Sequence, residues 1–171
     1  MALPLRQIFR QGPVLAALGG AMAGAVASRF RPPAAEPHAG AAASVTIDPP
    51  ARDLVDDFVR RSGGEPSVWK GTVPPHLFPQ WGFPLAAKVL RGLPYPIWRV
   101  LNAGCAMTVN APLPADRKLR VTARLESLDA SDRRAVLRTR IETGPEERAD
   151  ALVCDLFAYV PLRGGGAGPR T

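Results

Sequence analysis

Side chains that could carry acid/base or nucleophilic chemistry are scarce in this sequence. Its 171 residues include only two histidines, His38 and His76. A histidine abstracts a proton from water most effectively when a neighbouring acid orients its ring. The segment 71–84, GTVPPHLFPQWGFP, contains His76 but no Asp or Glu. We therefore treat His76 as a weak candidate for a catalytic base, and we expect no role for His38, which lies in a Pro/Ala-rich stretch.

The two cysteines, Cys105 and Cys154, are the other candidates for nucleophilic chemistry or metal binding. Each stands among apolar residues, and no histidine or acid lies at a ligand-like spacing from either. They are typical of small buried hydrophobic residues in a reducing compartment, so we expect no disulfide. Two histidines cannot build a His-rich metal site. The sequence therefore predicts no metal and no cofactor.

The adjacent carboxylates of Asp56 and Asp57 suggest paired acid/base groups, but their setting argues against this. They lie in a predicted helix that has Asp48 as its N-cap candidate and Gly63 just past its end. Adjacent residues on a helix diverge by about 100°, so the two carboxylates form a solvated face. The opposite face is a stripe that must pack on something, formed by Leu54, Val55, Phe58 and Val59.

Composition and charge narrow the function classes. A chain of 171 residues with 46% hydrophobic composition is long enough for one core with extensions. The formal net charge is +7, but the 22 basic residues are scattered along the chain with few aromatics between them. A nucleic-acid interface needs clustered basic residues, so we expect no nucleic-acid binding.

The first 43 residues are predicted to form an extension that precedes the core. Pro13 to Ser28 form an apolar, small-residue run between arginines, shorter than the roughly 20 residues that span a bilayer. A signal peptide, a weak membrane anchor through residues 1–30 and a docking helix all remain open for this run. The sequence thus predicts an extension at 1–43, a domain at 44–162 and a flexible tail at 163–171, in a cytoplasmic protein.

A second, mostly apolar helix is predicted from Pro84 to Arg91, with Gly92 just past its end. Aromatic residues flank it, which leaves two interpretations open: they pack around a core helix, or they line a cleft beside it. These aromatics are Trp81, Phe83, Tyr95 and Trp98.

The second half of the chain predicts antiparallel strands. Apolar residues alternate with polar ones over 119–126 and 135–142, and turn residues at 129–132 join the two runs into a hairpin with one wet face. Further strands are expected at 45–47, 99–110 and 151–160. The last of these is apolar on both faces, so we expect it to be central in the sheet or covered by a partner. The expected fold class is α+β.

One helix of three turns wrapped by a long, curved antiparallel sheet resembles the hot-dog fold. Within that superfamily, VPPHLFPQWGFPLAAKVL, followed by GLPYP and then VLNAGCAMTVNAPLP, resembles the N-terminal half of MaoC-like acyl dehydratases of the double hot-dog type. The likeness covers roughly residues 45–162.

That resemblance implies a protein of fatty acid metabolism that binds an acyl-CoA or acyl-carrier thioester. (R)-specific enoyl-CoA hydratases of this family carry Asp-x-Asn-Pro-x-His before the hot-dog helix, and the Asp and His activate a water. This chain lacks the Asp, so the resemblance implies the half that shapes the acyl pocket. Such a half would pair with itself or with a catalytic hot-dog subunit. By position, Trp81, Phe83 and Leu85 would line an acyl tunnel, while Asn102 and Gly104 would face the thioester.

Two other functions remain open at this stage, as does whether the chain is an enzyme at all. Hot-dog acyl-CoA thioesterases use an Asp or Glu near the central helix, and the segment from Gly82 to Gly92 contains neither. A non-enzymatic module would bind a membrane or a protein partner through its basic face and the N-terminal apolar run.

Overall fold

A computed structural model describes residues 41–90, 93, 95 and 99–162. Most of the predicted N-terminal extension, Trp98 and the predicted tail lie outside these described residues. Two helices and seven strands make up the described part: β1 Ala42–Ile47, α1 Arg52–Arg61, β2 Thr72–Val73, α2 Pro79–Val89, β3 Leu101–Val109, β4 Leu113–Pro114, β5 Leu119–Ala130, β6 Arg134–Gly144 and β7 Leu152–Pro161. Short 3₁₀ turns lie at Pro66–Trp69, Pro75–Leu77 and Glu146–Arg148.

Five of the strands form one antiparallel sheet in the order β1-β5-β6-β7-β3, and β2 pairs with β4 in a separate two-stranded sheet. The predicted hairpin is the β5–β6 pair, in which Ala130 lies opposite Ala135. The last strand, β7, lies between β6 and β3, which confirms the expectation of a central strand. The first strand begins at Ala42, two residues before the boundary expected for the domain.

The start of α1 differs from the prediction. The sequence favours Asp48 as the N-cap, but the first helical residue is Arg52 and Ala51 occupies the N-cap position without a side-chain hydrogen bond. Two prolines follow Asp48, and a residue before proline is driven to extended backbone. The helix therefore begins only after both prolines. Asp56 forms an ion pair with Arg52 at 2.8 Å and Asp57 one with Arg61 at 2.9 Å, and both aspartates are half-buried, so this face is less solvated than the sequence predicts.

The start of α2 is also earlier than predicted. The helix begins at Pro79, with Phe78 at the N-cap position, so Pro84 lies inside the helix. Both prolines suit a first turn, because the missing N–H is not needed there. Sequence alone does not choose between them. In the structure, the Phe78 carbonyl accepts hydrogen bonds from the N–H groups of Trp81 at 3.2 Å and Gly82 at 2.7 Å, and these bonds make Pro79 the first helical residue.

The core lies between α2 and the sheet. The helix crosses β1, β5 and β6 and buries one face, made of Trp81, Gly82, Leu85, Ala86 and Val89. The facing residues of β6 are all buried: Ala135, Leu137, Thr139, Ile141 and Thr143. Every second residue of β5 is buried as well, from Leu119 to Leu125. This alternation is the one that the sequence predicts for a sheet with one covered face.

One buried hydrogen bond and one close contact tie α2 to β6. The Trp81 Nε1 atom donates to the Thr143 hydroxyl at 3.1 Å, and the two residues are 7% and 1% exposed. A Cβ atom added at Gly82 would lie 3.2 Å from the Ile141 Cδ1 atom and 3.0 Å from the Phe78 Cδ2 atom. Only a residue without a side chain lets the helix lie this close to the strand. These two contacts determine which side of α2 faces β6 and how closely the two elements approach.

No helix among the described residues has the length and apolarity that crossing a bilayer requires.

We predict that Thr143→Val lowers the free energy of unfolding by about 1–2 kcal/mol, because the Trp81 indole N–H would be buried without an acceptor. The two side chains have the same shape, so little packing is lost. Urea unfolding followed by tryptophan fluorescence measures the change.

Thr122→Val is the matched control, since Thr122 lies on β5 and faces away from α2. We expect it to change the free energy by less than about 0.5 kcal/mol. Equal effects of the two substitutions would contradict a stabilising role for the indole–hydroxyl bond.

Candidate functional site

His76 lies on the 3₁₀ turn Pro75–Leu77, directly before α2. Its ring is exposed and packs against two aromatic residues: the ring centroids lie 5.2 Å from Phe58 of α1 and 6.0 Å from Trp69. Within the described ranges no hydrogen bond or ion pair reaches the imidazole. Aromatic contacts, rather than an acid, therefore orient this ring.

The position of Trp69 beside His76 depends on α1. The Arg52 guanidinium donates to the backbone carbonyl of Trp69 at 2.6 Å and to that of Pro66 at 2.8 Å. This fastens the 3₁₀ turn Pro66–Trp69 to the first turn of α1. The sequence predicts that the apolar stripe of α1 packs against another part of the protein. In the structure, α1 lies beside the segment that leads to α2.

The three predicted tunnel residues occupy two different faces of α2. Trp81 and Leu85, one turn apart, are buried against the sheet. Phe83 is 43% exposed on the other side of the helix, where its ring lies edge-to-face with Phe78 at a centroid distance of 5.7 Å. Phe83 is thus accessible at the surface, whereas Trp81 and Leu85 are covered by the sheet.

Asn102 and Gly104 lie together at a β-bulge in β3. The Asn102 Oδ1 atom accepts a hydrogen bond from the Gly104 N–H at 2.9 Å, and the residue between them has no partner on β7. The φ angle of Gly104 is 139°, a conformation that favours glycine. Asn102 pairs with Ala158, which places its side chain on the face of the sheet that α2 covers elsewhere.

The predicted site residues therefore form three separate groups: His76 between aromatic rings, the α2 residues, and the bulge of β3. The helix contacts β1, β5 and β6, while β3 lies two strands beyond β6. In the described part of the chain, no cluster of three or more His, Cys, Asp or Glu side chains could hold a metal ion.

The β3 strand is exposed along its whole length, a feature that the sequence reading missed. It forms an edge of the sheet, and eight of its nine residues are exposed. Large apolar side chains are uncovered here, with Leu101 57%, Met107 38% and Val109 54% exposed. The sequence of this strand, LNAGCAMTV, contains no charged residue, and this composition is the feature that indicates an uncovered apolar edge. Uncovered apolar edges of this kind mark interaction surfaces.

The two cysteines do not form a nucleophilic site. Burial, with smaller contributions from Cys105 and Asp155, raises the pKa of Cys154 to about 12. Partial desolvation of the thiol and the nearby Asp155 carboxylate also raise the pKa of Cys105, although this residue of β3 is exposed. Both thiols are therefore held in the neutral form, which is a poor nucleophile. Both are free cysteines, and Cys154 is buried as the sequence predicts, whereas the prediction of a buried Cys105 is wrong because β3 is an edge strand that leaves this residue exposed.

A cleft lies away from all three groups, beside β1 at the opposite edge of the sheet. Its volume is about 540 Å³. It is lined by Ser44, Val45, Thr46, Lys118, Arg120 and Glu146. None of the predicted site residues lines this cleft.

Comparison with known proteins gives matches at the level of structure only. No protein-family model matches the sequence, and no curated protein matches it.

Several solved structures are similar to this chain. The truncated HadBC complex, a 3R-hydroxyacyl-ACP dehydratase from Mycobacterium tuberculosis, matches with a TM-score of 0.55 and 12% identity over 72% of this chain and 96% of that chain. The monoamine oxidase regulatory protein from Archaeoglobus fulgidus matches with a TM-score of 0.55 and 10% identity over 74% and 92%. HtdX from Mycobacterium tuberculosis matches with a TM-score of 0.56 and 16% identity over 74% of this chain and 54% of that chain.

This chain thus spans about half the length of HtdX and nearly the full length of the matched HadBC chain. Sequence identity is low in every case, so the similarity establishes the architecture. The five-stranded antiparallel sheet with α2 packed across one face is a hot-dog fold, similar to that of dehydratases.

Proposed function

We propose that this chain binds acyl thioesters as a MaoC-like protein of the (R)-specific enoyl-CoA hydratase or 3-hydroxyacyl-CoA dehydratase type, and that it is a half without the catalytic Asp/His pair that needs a partner. The observation that carries the proposal is the turn before α2, where the family holds its catalytic residues and this chain keeps only His76. The similarity to the HadBC dehydratase supports the choice of reaction class.

The spacing of the family motif identifies what is missing. If His76 takes the last place of Asp-x-Asn-Pro-x-His, then Pro74 takes the place of the proline, Val73 that of the Asn and Gly71 that of the Asp. Glycine has no carboxylate, so position 71 lacks the acid that activates a water together with the histidine. The His76 ring is flanked instead by Phe58 and Trp69. We therefore expect little or no hydration by this chain alone.

The acyl chain is proposed to run from α2 across the sheet to the uncovered face of β3, which lies two strands beyond β6. Phe83 offers an exposed aromatic ring, and Trp81 with Leu85 forms the helix face behind it. The register of β3 puts Asn102, Cys105, Met107 and Val109 on the side of the sheet where α2 lies. This surface is largely apolar, as a site for a fatty chain must be. Asn102 and Gly104 are proposed to face the thioester at its polar end.

The partner is proposed to cover β3, as a second copy or as a catalytic hot-dog subunit. An apolar, uncharged edge strand lacks the charges that prevent edge pairing, and pairing would satisfy its free backbone groups. The matched HadBC structure is a complex, which favours the second kind of partner. We place this assembly in the cytoplasm, and membrane contact through residues 1–30 remains a secondary proposal.

A thioesterase is the less favoured function. Those enzymes need a carboxylate near the central helix, and α2, PQWGFPLAAKV, contains none. Assaying thioester hydrolysis with a thiol reagent beside the hydration assay separates the two activities.

We predict that the purified full chain binds crotonyl-CoA and longer enoyl-CoAs in titration calorimetry. Phe83→Ala should weaken long-chain binding about fivefold and leave crotonyl-CoA binding nearly unchanged, because only a long chain reaches the ring. Val68→Ala is the control, since Val68 is 72% exposed on a turn outside the proposed surface. Absence of acyl-CoA binding and turnover, both alone and with co-encoded hot-dog proteins, would remove the proposal.

Installing the missing acid should create activity. We predict that Gly71→Asp raises kcat/KM for crotonyl-CoA hydration at least about tenfold, because an acid at this position can share a water with His76. Gly71 has a φ of 75° and open space around its Cα, a conformation that Asp tolerates.

Gly63→Asp is the matched control, because Gly63 has a φ of 80° and equally open surroundings at the end of α1. The two variants carry the same strain and charge. Equal rates in both variants would mean that position 71 does not correspond to the acid of the family motif.

Met107→Lys should disrupt pairing through β3. A lysine in the middle of the uncovered strand must be desolvated when the edge is covered, so we expect the dissociation constant of the assembly to rise at least about tenfold in analytical ultracentrifugation. Val45→Lys places the same charge on the opposite edge strand, where 41% of Val45 is exposed, and should leave assembly unchanged. An assembly that responds only to Val45→Lys would exclude β3 as the interface.

A further inference from the structure

The β1 edge of the sheet offers unused backbone hydrogen-bonding groups. The Leu125 N–H donates to the Ala41 carbonyl at 2.9 Å, which fixes the alternation along the β1–β5 pair. In an antiparallel ladder every second residue bonds to the neighbouring strand, and the residues between point outward. With the observed register, Ala43, Val45 and Ile47 bond to β5. The N–H and C=O groups of Ser44 and Thr46 therefore face the free edge.

Side chains along this edge alternate in chemistry. Thr46 lies opposite Arg120, so the hydroxyl-bearing residues share a face of the sheet with the Arg120 guanidinium. Val45 lies opposite Val121 on the other face and is 41% exposed. A strand added beside β1 would meet polar and cationic groups on one face and an apolar side chain on the other.

The cleft of about 540 Å³ beside β1 is lined by three charged groups, one of which forms an ion pair. The nearest acid to Lys118 is Asp48, at 3.9 Å between exposed side chains. No ion pair or hydrogen bond engages the Arg120 or Glu146 side chains within the described residues. The Asp48 carboxylate offsets the charge of Lys118, so Arg120 is the cation of the cleft that lacks an ion-pair partner within the described residues. A ligand that carries acidic groups would complement it.

We propose that the β1 edge and its cleft bind an extended acidic peptide of a partner protein as a sixth strand. Backbone hydrogen bonds to Ser44 and Thr46 would supply affinity, and side-chain alternation would supply selectivity. Acidic residues at every second position face Arg120 and Lys118, and β-branched apolar residues between them pack on Val45. This surface is independent of the proposed thioester site, because β1 and β3 lie at opposite edges of the sheet.

Other occupants from this chain are disfavoured by charge. Residues 1–40 carry Arg6, Arg10, Arg29 and Arg31 against Glu36, and residues 163–171 carry two arginines and no acid. Both segments are therefore basic and do not complement the Arg120 guanidinium. A second copy that paired its own β1 here would bring Arg120 and Lys118 toward the same cations of its partner, and like charges across a pair are destabilising.

Fluorescence polarisation with the full chain and a labelled Ac-Glu-Val-Glu-Val-Glu-Val-NH₂ peptide tests the proposal. We expect saturable binding at least about tenfold tighter than that of the peptide with Lys in place of Glu. Arg120→Glu should reverse this preference. Glu146→Gln removes a like charge from the cleft and should tighten binding about twofold to threefold. Equal binding of the acidic and basic peptides, or no binding of either, would overturn the proposal.

Backbone modification separates strand addition from attraction by charge alone. Two versions of the peptide are N-methylated at alternate residues, one at odd and one at even positions. An added strand directs only one of these sets of N–H groups toward β1, so one version should lose binding at least about tenfold while the other retains it. Equal affinities of the two versions would refute pairing with the edge.

Ser44→Pro provides the complementary change in the protein. It removes an outward N–H without touching the β1–β5 hydrogen bonds, as proline is tolerated on edge strands. We expect loss of peptide binding with unchanged acyl-CoA binding, which also keeps this outcome distinguishable from failure of the thioester proposal. Retained peptide affinity in this variant would count against backbone pairing.

Discussion

The contact between α2 and β6 sets the geometry on which the rest of the domain depends. Gly82 allows the helix to lie against Ile141, and the Trp81 indole donates to Thr143 at the same end of the strand. Because an unpaired indole N–H would be costly in this core, the hydrogen bond fixes the rotation of the helix about its axis. That rotation turns Phe83 outward and presents the His76 turn beside α1. Packing thus decides which residues remain available to a ligand.

Much of this architecture follows from sequence pattern. Alternation of apolar and polar residues correctly predicts the β5–β6 hairpin, and the apolar run of β7 correctly predicts a central strand. The helix starts were wrong for one reason: proline-rich lead-ins offer several equivalent first turns. The choice at Pro79 rather than Pro84 depends on the Phe78 carbonyl and on burial of Trp81, both of which exist only in the folded state.

The candidate site could be predicted only in part, because residue spacing does not reveal what surrounds a side chain. The sequence indicates that His76 lacks an acid nearby, but the aromatic contacts come from Phe58 and Trp69, which are remote in the chain. The sequence predicts that Trp81, Phe83 and Leu85 line one tunnel, yet helical geometry places Phe83 on the opposite side of α2 from the other two. Burial is a property of the assembled layers, so it cannot be read from a single segment.

The two edges of the sheet differ in chemistry, and this difference organises how the domain can associate. β3 is uncharged and bears large apolar side chains, so covering it removes apolar surface from water at little electrostatic cost. β1 is short and lies next to Lys118 and Arg120, so a partner that covers it must also compensate their positive charge. A sheet with five strands has only two edges, and both are open within the described residues. Under the two proposals, the neutral β3 edge pairs with a hot-dog partner while the β1 edge beside Arg120 stays free for an acidic peptide.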